Sequence, residues 1–248
     1  MNRNLSRFYT SSLIKNENYA ILRTLIQAVV ANTVARRVVL VTKQMQHKEI
    51  VEKLAQKALS ATRPTQFPGT TINIVHKAVG NFQSIENEVF VALGLDSDDL
   101  LSIEPEIKSK FLIAGLWNPG ELDKWAKITG AVSVDDQSKM QPYPKPDCLL
   151  QQALQSINSI NDGVSHVSDR QRVKTVFTVI FENNISTDRD QIESFLYEQF
   201  NWSKDKIEKV LLIHDSLKSG RIVQGELLDS YSTLYETWTK NCKEISSI

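Results

Sequence analysis

The fold of this chain is decided by the run Val-Val-Leu-Val-Thr at residues 38–42. A continuous apolar run of this kind, rich in β-branched residues, is typical of a strand buried on both faces of a parallel sheet. A polar turn at 43–47 follows, and the apolar spacing then predicts an amphipathic helix over 48–59. Because strand followed by helix is the repeating unit of an α/β layer, we expect an α/β domain around this stretch.

Further segments of the same kind flank this unit. The patterns predict strands at 71–75, 88–93, 111–117 and 131–134, and helices at 19–31 and 121–128. We therefore predict an N-terminal α/β domain over 17–135, built of two or three layers. An α+β arrangement is the alternative.

Beyond residue 135 the pattern changes. The polar segment 136–146 carries three prolines, which favour an extended connector. After it, apolar residues recur at helical spacing and the connections are short, as in antiparallel helical bundles. We predict an all-helical domain over 147–248. Within it, the β-branched residues of 172–181 would suit a strand, but the length and neighbours of this segment favour a helix.

The first 16 residues have the composition of an organelle transit peptide. They contain Arg3, Arg7 and Lys15 with several hydroxyl side chains, and no acid precedes Glu17. We expect a short helix over 2–13, and the residues around Arg7 resemble a mitochondrial presequence cleavage site, with the cut near 9/10. This composition predicts a mitochondrial address, in the matrix or peripheral to the inner membrane. An ordinary disordered tail is the alternative.

Composition excludes several classes of protein. The 248 residues carry 29 basic and 29 acidic side chains, so a global basic field for nucleic acid is missing. The longest apolar run is far short of the ~20 residues of a membrane span, so we predict no transmembrane segment. The two cysteines, Cys148 and Cys242, lack zinc-site spacing and are too few for a disulfide scaffold. We expect both to be reduced thiols.

Catalytic and cofactor motifs are missing from the sequence. It contains no GxxxxGK[ST] phosphate loop, no GxGxxG fingerprint and no GxSxG elbow. The nine glycines do not cluster, and none of the four histidines has a partner at metal-ligand spacing. We therefore predict no cofactor and no metal, and we lean towards a protein that is not an enzyme.

The candidate catalytic residues lie near the ends of predicted strands. They are Lys43, His47, Asp96 and Asp135, and Trp117 is a further candidate ligand contact. The acidic segment 96–106 is predicted to be a loop that follows a strand. Its carboxylates could hold a divalent cation, but it lacks the spacing of an EF-hand, and a solvated, helix-capping loop is the alternative.

Our leading hypothesis is a non-enzymatic mitochondrial protein that acts through protein–protein contacts. It would serve as an assembly factor or as a gene-expression factor, with a respiratory-chain assembly intermediate or the mitochondrial ribosome as partner. The candidate interface residues are Trp202, Tyr235 and Trp238 of the helical domain, since aromatic side chains anchor many interfaces. Core packing is the alternative role for these aromatic residues.

Two alternatives come from other functional classes. The first is an enzyme that holds a small molecule at the carboxyl ends of the strands. The second is an RNA-binding protein that uses a local basic face, although the balanced net charge argues against strong phosphate-driven affinity. The candidate RNA contacts are Arg36, Arg37 and Lys43, followed by Lys48, Lys53 and Lys57 of the predicted helix.

Overall fold

The computed structural model describes residues 5–10, 37–42, 71–76, 88–107, 110–116, 118–135, 137–160, 164–229 and 231–246. The chain divides into two compact units, 1–142 and 143–248, and the division falls inside the predicted connector. In the described residues the first unit is α/β and the second is all-helical. The predicted fold class, an α/β domain followed by a helical domain, is confirmed. The predicted helices at 19–31 and 48–59 lie outside the described residues.

The α/β unit is built on a six-stranded parallel sheet. Its strands are β1 (Ser6–Tyr9), β2 (Arg37–Thr42), β3 (Thr71–His76), β4 (Glu88–Leu93), β5 (Phe111–Gly115) and β6 (Val132–Ser133). Their order is β3-β2-β4-β5-β1-β6, and every neighbouring pair is parallel. The stretch that suggested the fold, β2, pairs along its whole length with β3 and β4, and its Val39 and Val41 are buried.

The N-terminal segment forms a strand, so the predicted helix over 2–13 is wrong. Phe8 of β1 pairs with Ile113 on one side and with Val132 on the other. Aromatic residues are favoured in strands. The backbone of this segment also pairs with β5 and β6, whereas a short isolated helix is only marginally stable in water. Cleavage near 9/10 would remove an interior strand of this sheet. The transit peptide and the mitochondrial address stay predictions.

Two short helices lie beside the sheet. They are α1 (Ser97–Ile103), which continues into a 3₁₀ turn at Glu104–Glu106, and α2 (Asp123–Thr129). The acidic segment that we predicted as a loop is therefore helical. Leu100 and Leu101 are both buried and anchor the helix in the core.

The second unit contains five described helices. They are α3 (Cys148–Gln155), α4 (Val167–Glu182), α5 (Arg189–Phe200), α6 (Lys204–Lys218) and α7 (Tyr231–Ser246). The helix favoured for 172–181 is confirmed as part of α4, because Val173, Val176, Phe177 and Ile180 recur at helical spacing and are all buried. In the described part of the chain, no helix is both long enough and apolar enough to cross a bilayer.

A disulfide joins Cys148 to Cys242, so the expectation of two reduced thiols is wrong. It links the first residue of α3 to α7 across 94 residues of sequence. Two hydrogen bonds accompany it along the same pair of helices. Trp238 Nε1 donates to Ser156 Oγ at 2.9 Å, and Asn241 Nδ2 donates to Gln152 Oε1 at 2.9 Å. The last helix is thus held both covalently and by partly buried hydrogen bonds.

Candidate functional site

The carboxyl ends of β1, β5 and β6 form one edge of the sheet. The Thr10 amide donates to the Ala114 carbonyl at 3.0 Å, and the Leu116 amide donates to Thr10 Oγ1 at 2.9 Å. On the other side, the Val134 amide donates to the Tyr9 carbonyl at 2.9 Å. The end of β1 is therefore fixed between its neighbours at the edge where open α/β sheets hold their ligands.

A cavity of about 230 Å³ opens beyond the end of β1. Its described lining residues come from the end of β1, the turn before α2 and the segment after β6; they are Tyr9, Thr10, Leu116, Pro119, Gly120, Leu122, Asp123 and Met140. Most of these side chains are apolar, and the Thr10 hydroxyl and the Asp123 carboxylate add polar groups. A mostly apolar wall with a few polar groups is the usual composition of a small-molecule site.

The turn at 118–123, which forms one wall of the cavity, is held firmly. The Asn118 amide donates to Glu121 Oε2 at 2.8 Å, and the Asn118 side-chain amide donates to the other oxygen of the same carboxylate. Gly120 lies in the left-handed region at φ +78°, which favours glycine. Ser97 Oγ donates to the Glu121 carbonyl at 2.6 Å and accepts from the Trp125 amide at 3.0 Å. This wall is therefore held by hydrogen bonds within the protein.

A buried charged network ties β1 to the helices. Arg7 Nε donates to Glu104 Oε1 at 2.7 Å, and the two side chains are 8% and 0% exposed. The other carboxylate oxygen of Glu104 accepts from Trp125 Nε1 at 2.7 Å. Arg7, which counted towards the transit-peptide composition, is therefore a core residue of this unit.

The two candidate catalytic residues in the described part of the chain, Asp96 and Asp135, do not lie in one site. Asp96 caps α1, because its Oδ1 accepts from the Asp99 amide at 2.9 Å. Asp135 follows β6, and the ends of β4 and β6 are three strand spacings apart, roughly 14 Å. Lys43, His47 and Trp117 lie outside the described residues.

Two of the three predicted interface residues are buried. Trp202 is 5% exposed and packs against the Phe200 ring and under the Lys206 ammonium, whose Nζ is 3.8 Å from the ring centroid. Trp238 is 2% exposed, and its indole N–H is bonded to Ser156. Both side chains pack in the core of the helical unit, and Tyr235 on α7 is half-buried.

The RNA candidates are only partly placed by the structure. Arg37 opens β2, where its backbone pairs with Thr71 and Glu88. Arg36, Lys43 and the lysines of the predicted helix lie outside the described residues, so the basic face stays a prediction.

The sequence predicted packing at the edge of the core for His214, which stands next to Asp215 on a helix with an apolar face, but it did not predict a polar cluster around this residue in the helical unit. This imidazole is fully buried, with the Phe177 and Phe181 ring centroids at 5.2 and 5.5 Å. Its Nδ1 lies 2.8 Å from Asp215 Oδ1, and its Nε2 lies 3.1 Å from Thr187 Oγ1. Burial lowers the pKa of His214, although the hydrogen bond to Asp215 acts in the opposite direction. The neutral imidazole is therefore favoured.

Arg189 extends this cluster towards solvent. Its Nε donates to Asp215 Oδ2 at 3.2 Å, and its Nη2 donates to Glu208 Oε2 at 3.0 Å. Burial alone would raise the pKa of Asp215, but its hydrogen bonds with His214 and Arg189 outweigh that and lower it. A hydroxyl, an imidazole and a carboxylate joined by successive hydrogen bonds also occur in nucleophilic catalysis. Here the imidazole is enclosed by two phenylalanine rings, and the cluster joins the start of α5 to α6.

The described residues contain no group of three or more His, Cys, Asp or Glu side chains that could hold a metal ion. In the cavity, Asp123 is the one carboxylate among the described lining residues.

The fold and this edge define a class of protein. It has a parallel α/β unit with a cavity at the carboxyl edge of its sheet, and a helical unit that contains an internal disulfide. Residues 146–239 match a family described as a domain of unknown function (DUF1889). That range begins in the connector and ends within α7, so the similarity concerns the helical unit. No curated protein and no solved structure matched the chain.

Proposed function

We propose that the α/β unit binds a small organic molecule in the cavity beyond β1. The observation that carries this proposal is the position of the cavity, at the carboxyl ends of adjacent parallel strands where α/β proteins hold ligands. Its volume of about 230 Å³ is below the ~300–1,000 Å³ of pockets for drug-sized ligands, which supports a ligand the size of a small metabolite. The proposal is one of binding, since the candidate catalytic residues do not line this cavity among the described side chains.

A library screen by thermal shift, followed by calorimetry, tests this proposal. A ligand at 100 times its Kd should stabilise the protein by about 2.7 kcal/mol. Met140→Trp should fill the cavity and abolish the shift. Gln141→Trp, at the exposed neighbouring position, is the matched control and should bind like the wild type. Failure of every small metabolite to bind, or unchanged binding by Met140→Trp, would count against the proposal.

A second candidate function is binding of a protein partner by the helical unit. All five exposed large apolar side chains among the described residues lie in this unit: Val167, Leu212, Ile222, Leu227 and Ile245. Ile222 is 95% exposed in an irregular segment between α6 and α7. When a partner covers an exposed aliphatic side chain, the free energy of the system falls. This supports an assembly or gene-expression role, and the respiratory-chain and ribosomal partners stay predictions.

The disulfide bears on the compartment in which such a partner would be met. Disulfides persist in oxidising compartments and are rare where thiols are kept reduced. The Cys148–Cys242 pair therefore supports an oxidising compartment over the mitochondrial matrix.

Affinity capture of a C-terminally tagged protein tests the partner proposal. Ile222→Asp should lose the captured partner, whereas Gln224→Asp, a charge placed on an exposed polar residue of the same segment, should keep it. If both variants capture the same amount of partner, Ile222 is not part of the interface.

A further inference from the structure

We infer that the ligand of the edge cavity carries a cationic amine recognised by Asp123, joined to an apolar body that packs on the cavity wall. This inference rests on the binding function proposed above and names the chemical class of its ligand. It follows from the charges around the cavity, the apolar lining and the position of the Asp123 carboxylate.

The charges favour a cation. Among the described lining residues there is no lysine or arginine, and Asp123 supplies a negative charge. The two nearest lysines in sequence point elsewhere: Lys124 Nζ lies 3.6 Å from Asp98 Oδ1, and Lys139 Cε lies 3.1 Å from the position of a β-carbon on Gly130. Among the described lining residues, a phosphate or carboxylate would meet the like charge of Asp123, which disfavours anionic ligands.

The apolar lining determines the rest of the ligand. Leu116, Leu122 and Tyr9 are almost fully buried, and Pro119 and Met140 complete the wall. Such a surface offers dispersion contacts but few hydrogen bonds. A purely polar cation would make no apolar contact with this wall. The ligand therefore needs an apolar portion beside its charge.

Asp123 is exposed and is one of the residues that line the cavity. Its Oδ2 is 3.8 Å from the position of a β-carbon on Gly120, so the carboxylate lies over the turn that lines the cavity. Asp123 is also an acidic residue in the first turn of α2, where a negative charge is favourable by itself. The test must therefore separate recognition of an amine from stabilisation of the helix.

Calorimetry with three probes of one shape makes this separation. The probes are phenethylamine, 2-phenylethanol and phenylacetate, which share an aromatic body and differ in the charge of the head group. With the full-length protein we expect the amine to bind on the order of tenfold more tightly than the alcohol, as a charge-assisted hydrogen bond provides. Phenylacetate should bind most weakly.

Asp123→Asn should lower the affinity for phenethylamine about tenfold and leave that for 2-phenylethanol unchanged. Glu106→Gln removes an exposed acid elsewhere in the same unit and is the control, expected to bind all three probes like the wild type. A melting curve of each variant shows whether the fold is kept.

The outcomes separate this inference from the proposed function. Equal binding of amine and alcohol, preference for the acid, or an Asp123→Asn variant that keeps the amine preference would overturn the amine inference and leave the binding function standing. If none of the probes binds to the wild type, the amine inference fails. If the library screen also finds no ligand, the proposed function fails with it.

Discussion

The two units hold their terminal elements in opposite ways. In the α/β unit the first strand lies between β5 and β6 and is held by backbone pairing and by the buried Arg7–Glu104–Trp125 network. In the helical unit the last helix is held by the Cys148–Cys242 disulfide together with two side-chain hydrogen bonds. One unit depends on an interior strand and the other on a covalent bond, so each should respond to a different perturbation.

Removal of β1 should have the largest effect. Deleting residues 1–9 takes an interior strand from the sheet and leaves facing edges of β5 and β6 without their partner. We expect loss of amide protection throughout the described strands of the α/β unit and retention of protection in α3–α7, measured by hydrogen exchange with mass spectrometry.

The control for this deletion removes residues 1–4 and keeps β1. A protein lacking 1–9 whose sheet stays protected would show that β1 is dispensable, and that the predicted cleavage near 9/10 is compatible with a folded sheet.

Arg7→Met should destabilise the α/β unit by about 3–5 kcal/mol, because it leaves the buried Glu104 charge without its partner. Denaturant unfolding measures the change. The double variant Arg7→Met with Glu104→Met is the matched control and should recover part of the loss, since no charge is then left buried. A single variant as stable as the wild type would show that water reaches Glu104.

The sequence predicted much of the fold because its signals are local. The apolar runs of β2, β4 and β5 and the helical spacing of α4 are contained within a few residues, and each formed the expected element. The errors arose where a distant partner decides the structure. β1 is a strand because β5 and β6 lie beside it, and α1 is a helix because its leucines reach the core.

Cys148→Ser should destabilise the helical unit by about 2–5 kcal/mol, because the disulfide restrains the unfolded chain over a long loop. Urea unfolding of the variant and of the wild type with and without a reductant measures this. Cys242→Ser should match Cys148→Ser, and reductant should affect neither. Blocking free thiols at cell lysis, followed by a mass-shift gel, reports whether the bond exists in the cell; fully alkylated cysteines would exclude it there.

The candidate site was less predictable than the fold. The strand-end rule pointed to the edge of the sheet where the cavity lies, but it selected Asp96 and Asp135, which lie at strands that are not neighbours. Tyr9, Thr10 and Asp123 meet only because β1 inserts beside β5, which no local pattern reveals. For the same reason the contact between Thr187 and His214, 27 residues apart, could not be read from the sequence, although the adjacent His214 and Asp215 could have prompted a search.

The smallest expected effect is a pH dependence in the helical unit. Because burial lowers the pKa of His214 in the folded state, the unfolded chain binds the proton more readily. Stability should therefore fall as the pH drops below about 6.5, the ordinary pKa of histidine, by at most about 1.4 kcal/mol per pH unit. The groups around this imidazole are Thr187, Asp215, Arg189 and Lys218. Of these, Asp215 has a lowered pKa, so its contribution to the free energy of unfolding is lost only at more acidic pH.

Urea unfolding at pH 7.5 and 5.5 measures this loss, and His214→Gln should reduce it relative to the wild type. His166→Gln, at an exposed position before α4, is the matched control and should leave it unchanged. If His214→Gln keeps the full pH dependence, other groups cause the loss, and folding does not lower the pKa of His214. The imidazole would then take up a proton as readily as in the unfolded chain, and the cluster would not be a buried neutral link between the start of α5 and α6.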